Sequence, residues 1–244
     1  MSKDLVFITG ASSGIGSALA RAFAARGARI IGISRRGAAV GEHFAVDLAD
    51  PGSWPRVAAL FSKEIARATP GRALLLHCAG TLDPMGFAGE VDSAAYTRNV
   101  LLNSAAPQVL GAAFLRAVHD SGAGGHLLMI SSGAAHNVYE GWTSYGAGKA
   151  AVDQWARTAG AEQERRGGRC RVLAVAPGVV ATAMQDEIRA MSEHEFPEVA
   201  KFVELHDSGA LREPETVAEE ILDLLDRDLP NGAVVDLREL ADVR

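Results

Sequence analysis

Seven short apolar runs, LVFIT, RIIGIS, HFAV, ALLLH, HLLMI, RVLAVA and AVVDL, are spaced along the chain and separated by longer segments of helical period. Runs that are apolar at nearly every position suit strands covered by helices on both faces; a half-exposed antiparallel strand would alternate polar and apolar residues. Between the first two runs, Ile15, Leu19 and Phe23 recur at four-residue spacing and Gly27 follows, as in an amphipathic crossover helix that ends at a glycine. The pattern predicts an α/β fold: a doubly wound, seven-stranded, mostly parallel sheet with helices on both faces, in three α/β/α layers. No Pro/Ser-rich linker, charge block or repeat interrupts it, so residues 1–244 read as a single domain. One segment, about 184–212, breaks the rhythm. It is polar, carries Met191, Phe196, Phe202 and Leu205 at irregular spacing, and reads as a helical insertion or substrate lid.

Composition narrows the function classes. A hydrophobic content of 48% over 244 residues is ample for a core. No apolar run is long enough to cross a bilayer, and Met1–Asp4 lead into a strand without targeting features, so a cytoplasmic location with no membrane partner is expected. The two cysteines, Cys78 and Cys170, are far apart in apolar surroundings and read as free thiols, with no metal site. A formal net charge of -6 argues against a nucleic-acid surface, although Arg35 and Arg36 form a local basic spot.

The stretch VFITGASSGIGSALARAF sets Gly10, Ser12, Ser13, Gly14, Ile15 and Gly16 between a buried strand and an amphipathic helix. Small residues there let the backbone approach a pyrophosphate, whose charge is favoured by unpaired N–H groups and the positive end of the helix dipole. A strand-helix turn that uses glycine only for its dihedrals is the competing reading. The spacing Gly-xxx-Gly-x-Gly, preceded by Thr9, resembles the short-chain dehydrogenase/reductase family, with its Rossmann-type fold and nicotinamide cofactor.

That resemblance implies further residues downstream. After RIIGIS, Arg35 and Arg36 stand where an acid would bind a ribose 2′-hydroxyl; a guanidinium there suits the 2′-phosphate of NADP(H) instead. Asp47 and Leu48 fall where the family places an acid and an apolar residue beside adenine, although Asp47 also suits a helix cap. Ala79 and Gly80 keep the close backbone approach after the fourth strand, but His77 and Cys78 replace the family's two asparagines, which puts the hydrogen bonds of those amides in question. Pro177, Gly178, Val180 and Thr182 match the Pro-Gly-xxx-Thr arrangement that meets the nicotinamide carboxamide; an ordinary turn is the plainer reading of Pro177-Gly178.

In SSGAAHNVYEGWTSYGAGK, Tyr145 and Lys149 are one helical turn apart and Ser132 lies at the end of a strand. A free tyrosine, with a pKa near about 10, is a poor base at neutral pH unless a cation stabilises the phenolate, which a lysine one turn away can do. By the resemblance, Ser132 orients a substrate carbonyl, Tyr145 is the general acid or base, and Lys149 lowers the Tyr145 pKa while holding the nicotinamide ribose. Ser131 is then a structural neighbour. The family's fourth member, an asparagine holding a water near the lysine, falls on Asn103, with Asn99 expected at the surface near a helix start.

Within the family, YEGWTSYGAGKAA, APGVVATAMQDEIR and LPNGAVVDL resemble sepiapterin reductases and the benzil reductase-like enzymes. The resemblance implies NADPH-dependent reduction of a small carbonyl substrate, a vicinal dicarbonyl or a pterin side-chain ketone. The alternatives are an alcohol dehydrogenase for another substrate and a non-catalytic NADP-binding sensor. Tyr139, Trp142 and Met184 either line an apolar substrate pocket or belong to the core. Asp236 corresponds to the acid that anchors the pterin ring in sepiapterin reductases, or is a surface carboxylate. Alanine-rich helices near 105–117 and 150–162 suit the pairing of relatives, giving a homodimer or homotetramer.

Overall fold

The computed structural model describes residues 4–68 and 71–241. Seven parallel strands form one sheet in the order β3-β2-β1-β4-β5-β6-β7. They are β1 (Leu5–Thr9), β2 (Arg29–Ser34), β3 (Glu42–Ala45), β4 (Arg72–His77), β5 (Gly124–Ile130), β6 (Cys170–Ala176) and β7 (Val234–Asp236). Each apolar run identified in the sequence contributes one strand. β3 departs from the expectation of burial on both faces: it is mostly exposed, because it is the sheet edge and pairs only with β2.

Helices α1 (Gly14–Ala25), α2 (Trp54–Ala68), α3 (Ser93–Val100), α4 (Ala106–Ser121) and α5 (Thr143–Arg166) are followed by α6 (Ala183–Arg189), α7 (Val199–Asp207), α8 (Pro214–Leu225) and α9 (Leu237–Ala241). One face of the sheet is covered by α2, α4 and α5, where Phe7, Phe61 and Phe114 meet edge to face at centroid separations of 4.9, 5.7 and 6.4 Å. The other is covered by α1 and α8, through Leu19, Phe23, Val217, Ile221 and Leu225.

Strand order reverses between β1 and β4, so the loops after them part and leave a crevice at the carboxyl edge of the sheet. A third apolar cluster stands above that edge: Trp142 and Tyr145 pack with Ile188, Phe196, Val199 and Phe202 from the 184–212 segment, which contains α7 and most of α6. Between α3 and α4 the helix widens into a π turn at Leu101–Ala105, where the Ala106 N–H reaches back to the Leu101 carbonyl. Pro107 follows, and having no N–H it cannot make the ordinary bond to the carbonyl of Asn103. No helix among the described residues is long and apolar enough to cross a membrane.

Candidate active site

The loops at the carboxyl edge enclose a cleft of about 480 Å³ running from the end of β2 past β1 and β4 to the aromatic cluster. Gly10, Ser12, Ser13, Gly14, Ile15 and Gly16 line its floor. A Cβ on Gly10 would lie 2.9 Å from the Ala79 backbone nitrogen, and one on Gly16 would collide with the Gly10 carbonyl. This cradle closes only without side chains and leaves the first N–H groups of α1 facing the cleft, as a pyrophosphate requires.

At one end of the cleft, Arg35 and Arg36 are exposed and line its wall, with Ser34 rather than an acid closing β2. Asp47 unites its two readings: Oδ1 accepts from the Ala49 N–H at 3.0 Å and caps the turn, while the residue also lines the cleft beside Leu48. Its Oδ2 accepts from Arg98 Nη2 at 2.8 Å. Arg98, from α3, lines the same wall and was not identified from the sequence; the 51 residues between the partners leave no local pattern to find it by.

At the switch point, the absent asparagines are replaced by a different clamp. The Thr9 hydroxyl accepts from the N–H groups of Cys78 at 3.0 Å and Ala79 at 3.1 Å, so the Thr of the Thr-Gly pair holds the turn. His77 is buried with neither ring nitrogen hydrogen-bonded among the described residues, and burial, with a smaller push from the Lys149 charge, lowers its pKa to about 3. Burial pushes the Cys78 thiol up to about 12, which keeps it protonated and unreactive at neutral pH.

Ser132, Tyr145 and Lys149 come together at the end of β5. Ser132 caps the short turn Gly133–Ala135, its Oγ accepting from the Ala134 N–H at 3.2 Å, and its hydroxyl is hydrogen-bonded to the Tyr145 phenol. Ser131, by contrast, points its hydroxyl into a buried position with no partner among the described residues. Tyr145 and Lys149 occupy successive turns of α5, 7% and 5% exposed, with Lys149 Nζ 5.6 Å from the phenol ring centroid and donating to the Ile130 carbonyl at 2.8 Å.

The electrostatics refine the expectation that Lys149 acidifies Tyr145. Burial pushes the Tyr145 pKa above its ordinary value, and the Ser132 hydrogen bond offsets part of that rise. Burial also lowers Lys149 from 10.5 to about 8, against the pull of Cys78 and Asp153. The unliganded site therefore presents a protonated phenol, ready to give a proton.

Asn103 meets this group from the π turn. Its Nδ2 donates to the Thr81 carbonyl at 2.7 Å and to Asn99 Oδ1 at 2.8 Å, and its Oδ1 accepts from the Thr81 N–H at 3.1 Å. Asn103 Oδ1 and Lys149 Nζ lie 3.1 and 3.6 Å from the point a Cβ on Gly80 would occupy, so the two polar groups face each other across a bare backbone. Asn99 is a correction: it is fully buried, not at the surface, because Asn103 and the carbonyls of Thr81 and Asp83 all pair with its amide.

Beyond Tyr145 the cleft becomes aromatic. Trp142 stacks on Phe196 at 4.6 Å and meets Tyr145 edge to face at 5.6 Å; Tyr139 lies 5.0 Å from Trp142. Tyr139, Trp142 and Met184 all line the cleft and all belong to or pack on the third cluster, so lining and core are one role here. Pro177, Gly178, Val180 and Thr182 form the opposite wall. Asp236 is the second correction. It is not among the lining residues; its carboxylate is taken by Arg238, two residues on, and it is Arg238 that lines the cleft. No group of three or more His, Cys, Asp or Glu with metal-holding geometry occurs among the described residues.

Comparison with known proteins agrees with this geometry. A benzil reductase ((S)-benzoin forming) of Bacillus subtilis is 31% identical over 240 residues, 97% of this chain and 99% of the relative. A sepiapterin reductase of Mus musculus is 36% identical over 170 residues, 68% of this chain and 63% of the relative. The crystal structure of the KRED1-Pglu enzyme superposes with a TM-score of 0.80 at 26% identity, covering 96% of this chain and 100% of that one. The profile of the family described as short chain dehydrogenase matches residues 4–193. A glycine cradle at the switch point and a hydroxyl pair beside a buried lysine thus belong to a known lineage of nicotinamide-dependent oxidoreductases: the chain is a member of the short-chain dehydrogenase family.

Proposed function

We propose that this protein is an NADPH-dependent carbonyl reductase whose substrate is a ketone next to a second carbonyl. The observation that carries the reading is the Ser132–Tyr145 hydroxyl pair, set beside Lys149 where the cofactor cleft opens into the aromatic pocket. Ser132 and Tyr145 hold the carbonyl oxygen of the substrate, and the Tyr145 phenol passes its proton to that oxygen as negative charge develops there. The reduced nicotinamide, when bound, supplies the hydride. Lys149 holds the ribose and stabilises the phenolate left by the proton transfer; Asn103 positions water for its return.

Arg35 and Arg36 support the 2′-phosphorylated cofactor, since exposed guanidiniums favour a phosphate and no carboxylate is there to take a 2′-hydroxyl. A flat aromatic wall of Tyr139, Trp142 and Phe202 suits an aryl ketone. The full-length likeness to benzil reductases favours a diketone, and the engagement of Asp236 by Arg238 disfavours the pterin. Segment 184–212 closes over the bound substrate and excludes water. Chain pairing through α4 and α5 completes the reading, with Val109 of α4 exposed at 44%. The test is a panel of benzil, sepiapterin and acetophenone with NADPH and NADH, followed by absorbance of the reduced nicotinamide. Turnover fastest with benzil and NADPH is expected. Cofactor binding without oxidation by any carbonyl would establish a sensor instead.

A further inference from the structure

The chain leaves β7 at the same carboxyl edge as the cleft, since Val234–Asp236 pair in parallel with Ala174–Ala176. Leu237 is buried against the α1–α8 face and fixes the start of α9, and the next side chain, Arg238, reaches the cleft. Its orientation is determined by Asp236. Oδ1 accepts from the Arg238 backbone N–H and from Nε, both at 2.9 Å, and Oδ2 accepts from Nη2 at 2.5 Å. Such a two-pronged clamp fixes the plane of the guanidinium.

Two glycine turns place that plane relative to the reacting groups. The Arg238 stem passes 3.4 Å from where a Cβ on Gly178 would lie, and Nη2 is 3.7 Å from the equivalent point on Gly133, the residue after Ser132. The guanidinium therefore stands between the serine turn and the Pro177–Gly178 turn, and its Nη1 has no hydrogen-bond partner among the described residues. The neighbouring Arg212 is already committed to the Pro177 carbonyl at 2.8 Å and to Glu220.

We propose that Arg238 is a substrate-binding residue that donates a hydrogen bond to the second oxygen of a vicinal dicarbonyl, with Asp236 as its positioning residue; this rests on the carbonyl-reductase reading above. A substrate whose first oxygen is held by Ser132 and Tyr145 carries its second oxygen on the adjacent carbon, beside the serine turn where the free guanidinium edge stands. Charge decides between a neutral and an anionic partner. Asp236 neutralises the guanidinium, and Asp83 and Glu187 also line the cleft, so a carboxylate meets little net attraction while a ketone oxygen still finds a strong donor.

The experiment compares 1-phenyl-1,2-propanedione with trifluoroacetophenone, a monoketone of similar size activated for reduction, using wild type, Arg238→Met, Arg238→Lys and Asp236→Asn. The ratio of kcat/KM for diketone over monoketone is expected to fall about 10- to 100-fold in Arg238→Met, the range that one hydrogen bond from a charged donor supplies. A smaller fall is expected in Arg238→Lys, which keeps a donor, and in Asp236→Asn, which loosens it. Arg238→Gln repeats the test should the Met variant fail to fold. A ratio equal to that of wild type in the folded Met or Gln variant, or equal losses on both substrates, overturns the assignment while leaving the reductase reading intact. A wild-type protein that reduces neither compound overturns both, and is told apart by the wild-type measurement alone.

Discussion

Replacing Lys149 by Met should make the cofactor-free protein more stable while removing its activity. Lys149 is 5% exposed and its pKa is lowered from 10.5 to about 8 by burial. Below pH 8 the folded protein thus holds an ammonium that the unfolded chain holds more comfortably, a penalty of about 3 kcal/mol. The attractions of Cys78 and Asp153 are already contained in that displacement. Met has nearly the same shape and no charge to desolvate, but it forfeits the hydrogen bond to the Ile130 carbonyl, about 1 kcal/mol. The balance is a gain of about 2 kcal/mol near neutral pH, or a rise of about 4–8 °C in Tm for a chain of this size.

The sign of the pH dependence follows. The folded pKa is depressed, so the penalty is fully present below pH 8 and fades as pH rises toward 10.5, where folded and unfolded forms are both neutral. Thermal melts of both proteins without cofactor from pH 7 to pH 10.5 should show a gap that narrows and then reverses. Comparing the two proteins cancels the contributions of Cys78, Cys170 and Tyr145, which titrate in the same alkaline region. A variant that melts below wild type at pH 7, or a gap that does not change with pH, would refute the reasoning.

Two further outcomes separate neighbouring residues. Ser132→Ala should lower kcat by about 10²-fold or more, since its hydroxyl contacts the reacting phenol, whereas Ser131→Ala removes an unpartnered buried hydroxyl and should leave Tm equal or higher. Combined Arg35→Ser and Arg36→Ser should raise KM for NADPH about 10- to 100-fold and leave KM for NADH nearly unchanged, as read from initial rates with each cofactor.

The sheet, the glycine cradle and the Tyr145–Lys149 spacing were legible because each is local: apolar runs, a turn of fixed spacing, one helical turn. What was not legible depends on contacts between distant segments. The Asp47–Arg98 pair joins the end of β3 to α3, and the Thr9 clamp that stands in for two missing asparagines spans 69 and 70 residues. Asn99 carried an ordinary surface signature, a polar residue near a helix start, and only the loop folded back from Thr81 to Asp83 buries it. Asp236 was singled out by its strand-end position, but its role is set by the guanidinium two residues later. β3 read as a buried run because four residues cannot report whether a second neighbour exists.

The central claim is that the Tyr145 phenol delivers the proton, and Tyr145→Phe tests it most directly because only one oxygen is removed from a ring packed against Trp142. With NADPH affinity measured separately by titration, steady-state reduction of benzil should fall by about 10²- to 10⁴-fold while cofactor binding persists. Turnover close to that of wild type in the cofactor-bound variant would contradict the account.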